Sequence, residues 1–230
     1  MGGRSCDNCV YMICVGFMVN GKLAWVVQEA PSLLIPLWCI YSGKASVIDS
    51  KVNMILLACF IGHYTNRTII FPLQIRGGKD TPFGVMLSAL FFTSVNGIIQ
   101  GRYFTHIYRY DESHLSSPMF IIGFGLFING LIINLHSDSI LRNLRKPGES
   151  GYKIPRGGMF RYISGANFFG EILEWFGFAI ATGFALPAVT FAFSTACNIA
   201  PRAVQHHQWY LTKFEDYEKL GRKAIVPFVY

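Results

Sequence analysis

The sequence predicts an all-α fold: a polytopic integral membrane protein of seven transmembrane helices with no Rossmann fold. Three observations carry this. Apolar residues make up 52% of the 230-residue chain and charged residues only 14%, against roughly 25% charge in an average soluble domain. Apolar stretches recur along the chain and mean hydropathy is +0.36; crossing about 30 Å of hydrocarbon takes roughly 20 such residues per helix. No G-x-G-x-x-G follows a strand pattern, so no βαβ unit is present to hold a dinucleotide.

In chain order the expected spans are 8–27, 31–48, 52–74, 82–104, 117–136, 160–182 and 186–206. The first begins with the run Val10 to Val19, preceded by Arg4 and Asp7 alone and lacking the small-residue cleavage site of a signal peptide. Asn20-Gly21-Lys22 is where it could break. Glu29-Ala30-Pro31 opens the second, with a proline suited to a first turn, and Pro36 interrupts it. The third carries Tyr64 and Arg67 at i, i+3, hence on one face. The fifth should continue beyond the membrane, because Asn134, Asp138, Arg142 and Arg145 follow helical spacing. Lys146-Pro147-Gly148 then stops it, and Ile154-Pro155-Arg156-Gly157-Gly158 makes a second turn. The sixth holds Asn167, Glu171 and Glu174 at i, i+4, i+7. The seventh runs on through Arg202, His206 and Tyr210 at i, i+4, i+8. The last residues end in the apolar IVPFVY, which should fold back on the protein or rest at the interface.

Basic residues set the orientation. The loops after the third and fifth spans and the C-terminal tail carry thirteen Lys and Arg against five on the other side. The positive-inside rule therefore puts the C-terminus in the cytosol and the N-terminus outside or in the lumen. The net charge of +7 is mostly this topology, and argues little for nucleic acid. Six cysteines are present; Cys6 and Cys9 have C-x-x-C spacing but no second pair or His cluster to complete a metal site. His206-His207 lacks further ligands as well, so no metal is expected. No repeat or low-complexity tract divides the chain, and residues 1–230 read as one domain.

The intramembrane polar groups point to function, since a charge at mid-bilayer costs about 2.5–3.5 kcal/mol on insertion scales. Glu29, Tyr64, Arg67, Asn167, Glu171 and Glu174 together suggest a polar cavity among the helices. A water-filled transport path would also use them, and a structural ion pair of Arg67 with Glu171 or Glu174 is the plainer reading of those charges. Tyr152, between Gly151 and Lys153, offers a flat ring beside positive charge, and the Gly-rich, basic loop 137–159 is what a phosphate-bearing ligand needs. An ordinary positive-inside loop would look similar. The residues alone stop at a helical membrane protein with a polar cavity open to a basic cytosolic face.

The strings WVVQEAPS (25–32), HYTNRT (63–68), NLHSDSILRNLRKPGESGYKIPRGGMFRYISGANFFGEILEW (134–175) and HHQWYLTKFEDYEKLGRKAIVPF (206–228) closely resemble the steroid 5α-reductases. The likeness runs from about Trp25 to the C-terminus, and its longest block exceeds forty residues. It implies a single seven-helix NADPH-dependent reductase domain acting on 3-oxo-4-ene steroids such as testosterone or progesterone, with a cytosolic cofactor loop at 137–159 and a cytosolic tail at 207–230. Glu29 and Tyr64 match the family's ketone-contacting Glu and Tyr, and Trp25 an aromatic near nicotinamide and substrate. The matched cofactor positions are Asn134, Asp138, Arg145, Tyr152, Asn167, Glu171, Arg202, His206 and Tyr210. Arg145 and its basic neighbours would favour NADPH over NADH. The steroid would enter from the lipid phase, with membrane lipids as the other partner and no obligate protein partner, in a bacterial inner membrane or the endoplasmic reticulum. Gln205 stands where the family often has a third histidine. In such a reductase Tyr64 donates to the ketone oxygen at neutral pH, and Glu29 does so only as the carboxylic acid, the form an apolar bundle favours. The two should converge from two helices on one point. A reductase of another sterol or polyprenyl enone, or a transporter with a polar path, are the competing readings.

Overall fold

The computed structural model describes residues 16–42, 47–75, 79–144 and 151–230. Six helical rods are present among them. These are α1 (Gly21–Tyr41), α2 (Lys51–Thr65), α3 (Phe83–Arg102), α4 (Pro118–Arg142), α5 (Ala166–Ala181) and α6 (Leu186–Lys213). π-Helical turns prolong α2 over Asn66–Ile70, followed by an α turn Phe71–Gln74, and prolong α3 over Tyr103–Ile107. Met18–Val19 (β1) pairs antiparallel with Thr81–Pro82 (β2). Four stretches are long and apolar enough to cross a membrane: Gly21–Tyr41, Lys51–Gln74, Phe83–Ile107 and Pro118–Arg142. The chain groups into two compact units, one up to Glu112 and one from Ser113.

The expected count of seven spans is not reached among the described residues. The division expected between residues 27 and 31 is absent: Gly21 to Tyr41 form one helix that passes through Pro31 and Pro36. The Asn20 side chain caps its start by accepting from the amides of Lys22 and Leu23. Pro31 and Pro36 leave the carbonyls of Val27 and Ser32 without their helical N–H donors. Helix α3 braces this stretch through side-chain hydrogen bonds. Thr93 Oγ1 donates to the carbonyl of Gln28, and Ser32 Oγ donates to the carbonyl of Thr93 at 2.9 Å. Gly97 and Gly101 let the helices touch at the prolines; a Cβ on Gly97 would lie 2.7 Å from the Pro31 carbonyl oxygen.

The end of α3 is held by Asn53 of α2. Its Nδ2 donates to the carbonyls of Phe104 (2.8 Å) and Tyr108 (2.6 Å), and its Oδ1 accepts from the Tyr110 amide at 3.0 Å. All of this buried amide is thereby used, as burial in an apolar medium requires.

In the second unit, α4 and α5 meet backbone to backbone. A Cβ on Gly123 would lie 2.2 Å from the Ala181 nitrogen, and one on Gly130 2.3 Å from that of Glu174. From the other side, Gly170 and Gly177 stand against the nitrogens of Asn134 (2.5 Å) and Phe127 (2.4 Å). Small residues seven apart on both helices produce this close crossing, the usual means of association where lipid removes the hydrophobic drive. Trp175, Phe127, Phe178 and Phe191 pack beside it, with Trp175 and Phe191 ring centroids 4.4 Å apart.

The helix expected from residue 160 begins at Ala166. Gly158–Arg161 form a 3-10 turn, and Tyr162 to Gly165 pair with the C-terminal tail instead. The amides of Ser164 and Gly165 donate to the carbonyls of Lys223 and Ala224, and the Lys223 amide donates to Tyr162, each at 2.9 Å. Arg222 adds a bond from Nη1 to the Pro155 carbonyl, also 2.9 Å. The tail thus folds back on its own unit. Both helices run past the expected ends of the fifth and seventh spans, α6 to Lys213 and α4 to Arg142, where Asn143 caps it before the expected stop at Lys146-Pro147-Gly148.

Candidate functional site

The first unit carries Trp25 and Glu29 on α1 and Tyr64 on α2, two helices that pack on one another. Glu29 is half-buried, and its Oε1 accepts from Gln28 Nε2 at 3.2 Å. Tyr64 is buried, with its ring 4.8 Å from that of Phe60. Its hydroxyl oxygen accepts from Asn96 Nδ2 at 3.3 Å, and Gln100 Nε2 donates in turn to Asn96 Oδ1 at 3.3 Å. Trp25 donates from Nε1 to the Arg67 carbonyl at 2.9 Å. The Arg67 guanidinium lies over the rings of Trp25 and Phe71 at 5.8 and 5.4 Å, so aromatic faces balance part of this buried charge. Arg67 and Thr68 sit in the π-helical turn, which swings both inward.

The second unit gathers most of the other expected positions around three helices and a loop. Asn134 and Asp138, one turn apart on α4, are both buried. Asn134 Nδ2 donates to the Asn167 carbonyl at 2.9 Å, which joins α4 to the first turn of α5. Its Oδ1 is buried and has no hydrogen-bond partner among the described residues. Asn167 and Glu171 are half-buried; Glu174 is fully buried where α5 crosses Gly130. On α6, Arg202 and His206 are exposed and Tyr210 half-buried. The His206 ring faces Phe168 of α5 at 5.8 Å. Exposed Tyr152 stands edge-on to Trp209 of α6 at 4.6 Å. Arg145 and Lys146-Pro147-Gly148 lie outside the described residues, as do Cys6 and Cys9.

The tail supports this cluster. Tyr217 stacks on Tyr210 with centroids 5.0 Å apart and 14° between planes. Ser164 Oγ links His207 Nδ1 at 2.6 Å and the Tyr217 hydroxyl at 2.7 Å. Burial pushes the Tyr210 phenol up, with Tyr217 adding and Arg222 opposing. Burial holds the His207 imidazolium below its ordinary range, and Lys223 adds to this.

Sequence reading missed Thr93, Asn96 and Gln100. The signal was present: they fall at i, i+3, i+7 on an apolar span, one helix face just as the i, i+4, i+7 of 167, 171 and 174 is. It also missed Ser164, Tyr217 and Arg222, whose partners lie more than forty residues away and leave no periodic trace.

The sequence profile described as 3-oxo-5-alpha-steroid 4-dehydrogenase matches residues 79–230. Human 3-oxo-5-alpha-steroid 4-dehydrogenase 1 is 50% identical over 212 residues, 92% of this chain and 81% of the relative. The mouse protein of that name is 49% identical over 214 residues, 93% of this chain and 83% of the relative. Human 3-oxo-5-alpha-steroid 4-dehydrogenase 2 is 44% identical over 209 residues, 91% and 81% of the two chains. A match of this depth over nine-tenths of the chain leaves one conclusion: the protein belongs to the 3-oxo-5-alpha-steroid 4-dehydrogenase family of oxidoreductases.

Proposed function

We propose that this membrane protein reduces the conjugated carbon–carbon double bond of 3-oxo-4-ene steroids, of testosterone or progesterone type, with NADPH as reductant. The observation that carries the reading is Tyr64, a phenol buried in an apolar helix bundle whose oxygen is already engaged by an amide donor. Glu29 lies on a helix packed against that of Tyr64. The relatives' names supply the substrate class.

As the β-carbon is reduced, negative charge builds on the ketone oxygen. Donors aimed at that oxygen stabilise the developing enolate by about 3 kcal/mol each in a site with little water. Tyr64 supplies one such hydrogen bond. Glu29 supplies the other as the carboxylic acid, and neither proton leaves its donor. The neighbouring α-carbon then takes a proton from water, which completes addition of two hydrogens across the double bond.

The second unit's residues fit a nicotinamide dinucleotide. Asn134 Oδ1 is a buried acceptor with no protein donor among the described residues, which suits a carboxamide N–H. Asn167 and Glu171, one turn apart, add complementary donor and acceptor groups. Exposed Arg202 and His206 suit phosphate and ribose, Tyr152 and Tyr210 offer ring faces, and Arg145 is assigned to the phosphate that distinguishes NADPH. Bound there, the cofactor supplies the hydride. We assign this cluster to the cytosolic side, a reading that the basic residues of the loop and tail support, with the steroid arriving from the lipid phase.

The test uses purified full-length protein with NADPH and testosterone or progesterone, with mass spectrometry of the products. The 5α-reduced steroid is expected, and Glu29→Gln and Tyr64→Phe should each lower kcat about a hundredfold. Wild-type rates in both variants would remove the catalytic assignment. NADPH oxidation with other sterol or polyprenyl enones alone would move the substrate class.

A further inference from the structure

We propose that Asn96 and Gln100 are positioning residues that force the Tyr64 hydroxyl to act as a donor toward the ketone. This rests on the reading of Tyr64 given above and adds what sets its direction. The observation is a chain of side chains buried in a helical membrane unit. Asn96 is 6% exposed, Gln100 0% and Tyr64 4%. Amides are costly in an apolar medium unless they are hydrogen-bonded, and the bonds of this pair run from Gln100 through Asn96 to the phenol.

The order of those bonds carries the argument. A side-chain amide has one donor end and one acceptor end. Gln100 Nε2 donates to Asn96 Oδ1, which fixes the acceptor end of Asn96 toward Gln100 and its Nδ2 toward Tyr64. The Tyr64 oxygen therefore receives a hydrogen bond from Asn96 and cannot spend its own proton there. Were Asn96 turned over, its Oδ1 would face the phenol and take that proton from the ketone. An accepted bond also polarises the phenol and makes it a better donor. Gln100 acts two residues away from the reacting oxygen, through Asn96.

The same face of α3 steadies the Glu29 helix. Thr93, three residues before Asn96, donates to the Gln28 carbonyl next to Glu29 and accepts, through its own carbonyl, from Ser32. One helix face thus ties both donors of the proposed site to a common ruler.

The test is kinetic, on full-length protein with NADPH and progesterone. Gln100→Met keeps the volume but lets Asn96 turn, and kcat should fall about tenfold, the size of one redirected hydrogen bond. The KM for NADPH should stay within about twofold. In a Tyr64→Phe background, Gln100→Met should cost less than about twofold, because there is no hydroxyl left to direct. Gln100→Glu supplies a reading that packing alone would not move. As the neutral acid it donates to Asn96 and restores the native order; ionised, it accepts and turns Asn96 over. Its kcat should therefore rise as pH falls, relative to wild type. Wild-type kcat in Gln100→Met, an equal fall in the Tyr64→Phe background, or a pH profile of Gln100→Glu parallel to wild type would each overturn the proposal. Should Gln100→Met fail to fold, the Gln100→Glu profile decides alone. Tyr64→Phe with wild-type kcat would instead defeat the parent reading of Tyr64.

Discussion

The two units use buried polarity differently. In the first, several side chains spend their hydrogen bonds between helices: Asn53 fills three, Asn96 is held at both ends, and Ser32 and Thr93 bond backbone across helices. In the second, the Asn134 Oδ1 acceptor has no partner among the described residues, while Tyr152, Arg202 and His206 face solvent. The helix contacts differ as well. α1 and α3 combine two side-chain hydrogen bonds with close approach at Gly97 and Gly101, whereas α4 and α5 meet at four glycines with the Asn134 bond at one end. A site that must stabilise charge during reaction gains from groups fixed beforehand. A site that must bind and release a large cofactor needs polar groups whose partners come with the ligand.

The largest effect should come from breaking the glycine contact. Gly130→Val puts a branched side chain where a Cβ already lies 2.3 Å from the Glu174 nitrogen, and backbone cannot swing aside. The loss should reach or exceed about 3 kcal/mol, the upper end of overpacking costs, read as a fall in Tm of the detergent-purified protein. Gly62→Ala is the control from the first unit. Nothing lies within 4 Å of its Cβ, so the helical preference of alanine should raise stability by up to about 1 kcal/mol. Equal Tm shifts in the two variants would contradict the close backbone contact at Gly130.

The ligand-awaiting half of the comparison is broken by Asn134→Leu. It removes both the acceptor and the bond to the Asn167 carbonyl. The Kd for NADPH, followed by nucleotide fluorescence, should rise about tenfold. An unchanged Kd would mean that the orphaned acceptor faces no cofactor.

How far these differences were legible in sequence depends on the range of the interactions. Helical spacing of Asn134, Asp138 and Arg142 gave the extension of α4, and Arg202, His206 and Tyr210 that of α6, because both are local patterns. Pro31 and Pro36 misled, since the helix passes through both with Gly97 and Gly101 of α3 set against them, more than sixty residues on. The start of α5 misled for a related reason. Tyr162 to Gly165 are apolar or small enough for a helix, but the tail's Lys223 and Ala224 claim their backbone groups. Asn96 and Gln100 were legible by spacing, yet no charge drew attention to them. The resemblance pointed to Glu29 and Tyr64 without saying what orients either.

The tail ranks next. Arg222 is buried, donates to the Pro155 carbonyl and lies over the Tyr217 ring at 5.5 Å. Arg222→Met keeps much of the stem and leaves that carbonyl unsatisfied, which should cost about 1–3 kcal/mol. Because Tyr217 stacks on Tyr210, NADPH affinity should fall along with Tm. A lower Tm with unchanged affinity would limit the tail to a structural role.

The smallest effect separates the units by pH. In the second, burial and Lys223 hold His207 below its ordinary 6.5. As pH falls through 6.5 the unfolded chain takes up this proton before the folded one does. Stability is therefore complete above 6.5 and declines on acidification toward the folded value. The decline is shallow, since His207 is partly exposed and solvent screens Lys223. In the first unit, the Arg109 guanidinium grips both oxygens of Asp49 at 2.7 Å and lowers its carboxyl from 3.8. That contribution is intact above 3.8 and is lost only as pH drops through the lower folded value. Between pH 7.5 and 5, Tm should thus fall slightly for wild type, and less for His207→Gln, which has nothing to protonate. Asp49→Asn should leave that slope unchanged, because its window lies below the range scanned. A slope that followed Asp49 rather than His207 would place the acid-sensitive contact in the wrong unit.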